Sequence, residues 1–357
     1  AWSAAQVAVM KFIYGNPNKY TRVVAPWFNM INTFLFGGLT QHGEMVGNVC
    51  ADINGMGGGA LADRDGQHGC SPIFATMSDL GEQEFIEEEV PFIQIVSKKM
   101  MKDNQGFGAY RGGMGYQMVL AMRDSPAFGF MLTAMGAKFP NVPGLFGGYG
   151  CPTYPLARIQ NVDVFEELKT NPGSFRYSIE ELMNEKPFPD ATYSTHPMSL
   201  GYTLAQRGEL YMIAQGTGGG FGDPLNREPA DVMRDLDENL ISHDVAWRIY
   251  RVVYDKVTMR CDVDGTKAAR DDARKARIAK SKPYKDFMSK WVQPKPSGKV
   301  PYYGCWDDKT MVHAGSPDKL HPAAQVNPPV IMTNPLQVKI NKLEAELNAL
   351  RGAKGVA

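Results

Sequence analysis

Apolar and polar positions change their rhythm several times along this chain. Residues 2–14 carry a helical pattern that Gly15-Asn16-Pro17 ends. Residues 25–60 are rich in Phe, Met, Asn and Gly without clean periodicity, which predicts packed irregular loops and short strands. Val90 to Met101 reads as a strand, Gly106 to Gly115 as the turn after it, and Tyr116 to Met122 as the returning strand. Phe128 to Met135 is the next strand candidate. Residues 158–183 hold short helical pieces broken by Asn171-Pro172-Gly173. Glu209 to Gln215 is a strand that delivers the triple glycine Gly218-Gly219-Gly220. Pro229 then opens a helix with Val232, Leu236 and Leu240 on one face. Ser242 N-caps a second helix carrying Ala246, Ile249, Tyr250 and Val253.

Beyond Asp262 the composition shifts. Residues 264–290 are a charged helix with a solvated face. Residues 282–335 are dense in proline and lack a core pattern, so they read as an extended strap with Tyr302, Tyr303 and Trp306 as anchors. Leu336, Ile340, Leu343, Leu347 and Leu350 form an a/d seam on a terminal helix too short to stand alone. That helix is expected to dock on a neighbouring subunit.

The pattern gives an α+β fold. Its parts are an N-terminal helical segment (1–24), a β-rich, glycine-rich body with a helical pair (25–260), a charged helix and proline-rich strap (261–335), and a C-terminal amphipathic helix (336–357).

Charge removes several classes. Thirty-eight basic and 38 acidic residues balance, which argues against nucleic acid or acidic membranes as partners. No run reaches the length of a membrane span, and AWSAAQVAVMKF lacks the architecture of a signal peptide. A cytoplasmic setting follows as the expectation. The five cysteines form no C-x-x-C pair, which points to buried free thiols rather than a zinc ribbon or redox dithiol.

Candidate chemistry gathers in three places. Gly57-Gly58-Gly59 and Gly218-Gly219-Gly220 can offer backbone N–H groups to an anion, with Gly58, Gly59, Gly219 and Gly220 as candidate cofactor contacts; tight packing is the alternative. Neither is a Walker motif. The segment DRDGQHGC brings Asp63, Asp65, His68 and Cys70 together, and His42 and Glu44 add a second polar cluster. Proton transfer or a mixed His–carboxylate metal site is one reading; a polar turn is the other. Metal-ligand spacing is missing, so no metal ligand is assigned. Arg111, set among glycines in AYRGGMG, suits a carboxylate or phosphate, or a structural pairing with Glu84, Glu87, Glu88 or Glu89. His42, Asp65, His68 and Arg111 are the candidate catalytic residues.

Four motifs stand in order. These are the loop GMGGGALADRDGQHG (55–69), GFGAYRGGMG (106–115), LFGGYG (145–150), and GGGFGDP (218–224) followed by two helices ending near YRVVY (250–254). Together they resemble the hydantoinase B/oxoprolinase family over roughly residues 25–255. Arg251 stands where that family usually has glycine.

The resemblance implies a subunit that works with a hydantoinase A-like ATP-binding partner, on cyclic amides or on ketones. The extension after Tyr254 and the Phe/Met-rich stretch 27–46 look most like the ketone-carboxylase branch represented by the acetone carboxylase α subunit, with acetophenone carboxylase as the near relative and the choice of ketone left open. That branch implies an ATP-dependent coupling of acetone and bicarbonate to acetoacetate through phosphorylated intermediates. It also implies manganese and ATP at the level of the complex, bound mainly outside this chain, and a small third subunit. Family members are longer, with sequence ahead of this region, so residues 1–357 are expected to be the C-terminal part of a larger subunit. The alternatives are an ATP-dependent hydantoinase or 5-oxoprolinase-type hydrolase, and a non-catalytic scaffold segment. Activity from this chain alone is not expected.

Overall fold

The computed structural model describes residues 2–27, 34–50, 55–70, 93–133, 142–196 and 200–291, with Leu343. Its described residues mix helices with antiparallel sheets, as the pattern predicts. The proline-rich strap beyond residue 291, the remainder of the terminal seam, and Glu84 to Glu89 lie outside the described residues.

Two sheets carry the fold. One has the strand order β2-β1-β5-β8, from β1 (Phe34–Leu39), β2 (Met45–Cys50), β5 (Phe128–Leu132) and β8 (Leu200–Leu204). The other has the order β3-β4-β9-β6-β7, from β3 (Ile93–Met100), β4 (Tyr116–Met122), β6 (Leu156–Gln160), β7 (Thr192–Thr195) and β9 (Leu210–Ala214). The expected β3–β4 pairing is antiparallel, in register from Ile93 with Met122 to Met100 with Tyr116, with an irregularity between Ile95 and Ser97.

β4 shows why the layers stack as they do. All seven of its residues are buried, so both faces are covered. Successive side chains of a strand point to opposite faces. Tyr116, Met118, Leu120 and Met122 face the four-stranded sheet and pack with Phe34, Phe128, Phe130 and Leu132. Val119 and Ala121 face the other way, onto α2 (Val164–Thr170) and α3 (Ile179–Glu185) through Val164, Ile179, Leu182 and Met183. The result is sheet on sheet on helices. A strand buried on both faces reads as a continuous apolar run, which is how MVLAM appears after Tyr116 and the buried polar Gln117.

The helices at 229 and 243 follow their sequence signals. Pro229 opens α4 (Pro229–Asp237), and Ser242 caps α5 (His243–Arg248) by accepting the Val245 N–H. Val232, Ile241, Ala246, Tyr250 and Val252 form their shared core. The charged run resolves as two helices, α6 (Val263–Ala279) and α7 (Tyr284–Trp291). α1 (Trp2–Tyr14) packs Val7, Met10 and Ile13 against Val23, Ala60, Leu145 and Phe221.

Candidate functional site

The four glycine motifs converge into one body of extended segments. Gly218 donates its N–H to Gly113, Gly219 to Pro26, Gly220 to Tyr149 and Phe221 to Tyr110. In return Gly106 donates to Gly218, Ala60 to Gly219 and Leu145 to Gly220. The peptide groups of 218–220 thus fan out to several neighbouring segments rather than to one partner strand. Only glycine permits such spacing: a Cβ on Gly218 would lie 1.9 Å from the Gly58 carbonyl oxygen.

This arrangement corrects the anion-site expectation. The amides of Gly58, Gly219 and Gly220 already donate to Gln67, Pro26 and Tyr149, at 2.8, 2.8 and 2.9 Å. They are not free to hold a phosphate. Gly59 abuts Ala25, whose carbonyl oxygen would stand 1.8 Å from an added Cβ. Close packing of backbones accounts for these glycines.

A group of four charges, three of them buried and Asp65 half-buried, fastens the glycine body to the first of the paired helices. Arg227 and Asp235 have no side-chain exposure. Arg227 donates Nη1 to Asp65 Oδ1 at 2.7 Å, and Nη2 to Asp65 Oδ2 and Asp235 Oδ2 at 2.8 Å each. Arg111 donates Nε to Asp235 Oδ1 at 2.9 Å and its backbone N–H to Asp65 Oδ1 at 2.8 Å. Two guanidinium groups thus meet two carboxylates, and the local charge cancels. Burial pushes the Asp65 pKa up, but the hydrogen bonds and charge of Arg227, aided by Arg111, outweigh it and leave Asp65 below the ordinary carboxylate value. Burial also opposes the Arg227 charge, and Asp65 outweighs it there too.

Arg111 therefore takes the structural pairing, with Asp235 as its partner. Asp65 is a carboxylate with three donors upon it, which suits it to holding the loop rather than abstracting a proton. Sequence reasoning missed Arg227 and Asp235. Asp235 carried a signal: it lies three residues from Val232, on the buried face of α4.

His68 is placed differently. The Met114 backbone N–H donates to His68 Nδ1 at 3.0 Å. Nδ1 must then carry a lone pair, so the ring proton resides on Nε2. Burial, reinforced by the Arg111 charge and opposed by Asp65, lowers its pKa to about 4. The ring is neutral at neutral pH. Such an imidazole is a hydrogen-bond donor through Nε2 and a poor base. It is also unsuited to binding a metal through Nε2, because that nitrogen keeps its proton while Nδ1 accepts.

The remaining candidates stand apart. His42 lies in the exposed turn between β1 and β2, where its N–H meets Thr40 Oγ1. Among the described residues no hydrogen bond or ion pair joins it to Asp65 or His68. Asp63 is exposed and pairs with Arg64. Cys70 and Cys151 are buried free thiols, and burial pushes Cys151 up to about 12, which makes it inert. Among the described residues no cluster of three or more His, Cys, Asp or Glu could hold a metal ion, and no helix is long and apolar enough to cross a membrane.

Comparison with known proteins agrees with the motifs. The chain matches Hydantoinase B/oxoprolinase over residues 3–224, and it belongs to that family. It is 30% identical over 78% of its length to the acetophenone carboxylase delta subunit of Aromatoleum aromaticum, covering 41% of that protein. It is 26% identical over 81% of its length to the acetone carboxylase alpha subunit of Xanthobacter autotrophicus, covering 38%. The caprolactamase beta subunit of Pseudomonas jessenii is 30% identical over 66% of the chain, with 36% of that protein covered. The nucleotide-free structure of acetone carboxylase superposes with a TM-score of 0.71 at 26% identity, over 82% of this chain and 39% of the other. The chain spans about two fifths of the length of these curated relatives.

Proposed function

We propose that this chain forms part of a subunit of an ATP-dependent ketone carboxylase, in which acetone and bicarbonate give acetoacetate through phosphorylated intermediates. The observation that carries the reading is the 0.71 superposition on acetone carboxylase over most of the chain, and the likeness to an acetophenone carboxylase subunit supports the same reaction class. The activity belongs to a hetero-oligomer in the cytoplasm, with a hydantoinase A-like ATP-binding subunit and a small third subunit. Bound manganese would supply Lewis-acid stabilisation of a developing enolate. The described residues do not fit that ion, since Asp65 is engaged by arginines and His68 keeps its proton on Nε2. Metal and nucleotide are therefore proposed to sit outside these residues.

His68 is the residue proposed to meet the substrate. Deprotonation next to a ketone places negative charge on the carbonyl oxygen. A neutral imidazole N–H can stabilise that oxygen without giving up its proton. Asp65, Arg111, Arg227 and Asp235 hold the segment that carries it. Loss of one oxyanion donor lowers turnover by about 100- to 1,000-fold, so His68→Phe in the assembled complex is expected to lower kcat by that order with little change in KM.

A second reading, ATP-dependent opening of a cyclic amide, is favoured by the caprolactamase relative. The same N–H donor would serve an amide carbonyl. The test supplies the complex with ATP, manganese and 13C-bicarbonate, and either acetone, acetophenone, caprolactam or a hydantoin. Carbon-13 in a new carboxylate is the expected result. ATP-dependent ring opening with no 13C fixed would replace the first reading by the second.

A further inference from the structure

We propose that the cavity between α6 and the turn Pro224–Asn226 binds a small organic carboxylate with an aliphatic chain. This inference is independent of the carboxylase reading. The cavity measures about 290 Å³, and Lys267, Arg270 and Arg274 project from one face of α6 toward Leu225, Asn226 and Pro229. Their spacing of three and four residues is what brings three cations to one wall.

The three cations differ in their partners. Arg274 is engaged by Asp271 at 3.0 Å, the Leu225 carbonyl at 3.0 Å and Asn226 Oδ1 at 2.8 Å. Lys267 is exposed and, among the described residues, has no ion pair. Arg270 is only 7% exposed. Its Nε donates to the Tyr250 carbonyl at 3.0 Å, while its Nη2 is buried and has no hydrogen-bond acceptor among the described residues. No described carboxylate lies within ion-pair distance of Arg270. Glu228 and Asp223 act on it only at longer range, Arg274 repels it, and burial with that repulsion lowers its pKa.

A buried guanidinium without a counter-charge is unfavourable, and an anion in the adjoining space would relieve it. Arginine matches a planar carboxylate in two-bond fashion. Besides the polar Asn226 and Thr266, the wall has an apolar part from Leu225, Pro229 and Val263, which suits a short aliphatic chain better than a fully hydrated ion. The volume lies at the small end of ligand cavities, so the ligand is small.

The test is calorimetric titration of the full chain at low ionic strength with butyrate, its neutral counterpart butyramide, and inorganic phosphate. Saturable one-site binding of butyrate is expected, with no detectable binding of butyramide and phosphate at least fivefold weaker. Lys267→Ala should weaken butyrate at least threefold, and Arg270→Gln should abolish its binding. Should Arg270→Gln unfold the chain, Val263→Asp decides the matter. It sets a carboxylate at the cavity edge, in the first turn of α6 where an acid is tolerated, and should abolish butyrate binding in a folded protein. Equal binding of butyramide, phosphate tighter than butyrate, or undiminished butyrate affinity in both Lys267→Ala and Val263→Asp would overturn the proposal.

Discussion

Arg227 and Asp65, 162 residues apart, meet in a two-bond ion pair at 2.7 and 2.8 Å, with the guanidinium wholly buried. This pair ties the segment carrying His68 to the turn that precedes the paired helices. Removing the arginine leaves two carboxylates, Asp65 and Asp235, with Arg111 as their one remaining cation among the described residues. Breaking such a buried pair typically destabilises by about 3–5 kcal/mol. Arg227→Leu should therefore lower the urea unfolding midpoint by that equivalent, and Arg227→Lys should recover little, because an ammonium cannot span two carboxylates with a planar fork.

Stability should fall in two stages on acidification. The folded His68 titrates at about 4 against an ordinary 6.5. Its depressed value means that the unfolded chain binds the proton first. The contribution is complete above pH 6.5 and is lost as pH falls through 4, by roughly 3 kcal/mol at most. Asp65 is also depressed, so its contribution is present above its ordinary 3.8 and is lost only as pH falls through its lower folded value. His68→Gln should flatten the first stage and spare the second, in urea denaturation measured across pH 3–7. Nitrogen-15 NMR of the wild-type ring should report the Nε2–H tautomer in the upper part of that window, giving way to the imidazolium as pH nears 4.

What the sequence revealed and concealed follows from the same contacts. β4 and β9 were legible because burial on both faces makes an almost unbroken apolar run, with Gln117 the one polar residue of β4. The pairing of β1 with β2 and β5 was not, because Gly37, Gly38, Gly47 and Gly129 interrupt the alternation at paired positions. The glycine motifs were legible as a unit, but their bonding partners were not. Sequence spacing cannot say whether an amide faces a ligand or another carbonyl. Arg227 was hidden because a lone arginine after Asp223-Pro224 reads as a surface turn. Only the long-range approach of Asp65 makes it a core residue.

Within the glycine body, a single methyl should act very differently from one outside it. Gly218→Ala drives a Cβ to 1.9 Å from the Gly58 carbonyl oxygen, and backbone, not a side chain, must move. Overpacking of this kind costs about 1–3 kcal/mol or more. Gly173, in the turn Pro172–Ser174, has only Asn171 Oδ1 near its Cβ position, at 3.9 Å. Gly173→Ala should be neutral or stabilise by up to about 1 kcal/mol through the unfolded chain. Thermal unfolding of the two variants side by side checks the contrast; equal effects would dissolve the case for a close-packed glycine body.

Arg251 occupies the position where hydantoinase B-like sequences usually place glycine, and its backbone shows why that residue is at home there. Its φ is +54°, in the left-handed region. A residue with a Cβ loses roughly 1–2 kcal/mol in that conformation. The arginine recovers part of this by lying over the Trp247 ring, 5.0 Å from its centroid. Trp247 is 46% exposed, so the contact contributes about 0.5–1 kcal/mol. The two terms nearly balance, with strain slightly ahead. Arg251→Gly should therefore be neutral to stabilising by up to about 1 kcal/mol, although it deletes a contact. Arg251→Val keeps the strain, adds β-branching and loses the cation, so it should destabilise by more than 1 kcal/mol. Chemical denaturation of both variants measures the difference. A glycine variant less stable than the valine variant would mean that the Trp247 contact, not the backbone, sets the energy at this turn.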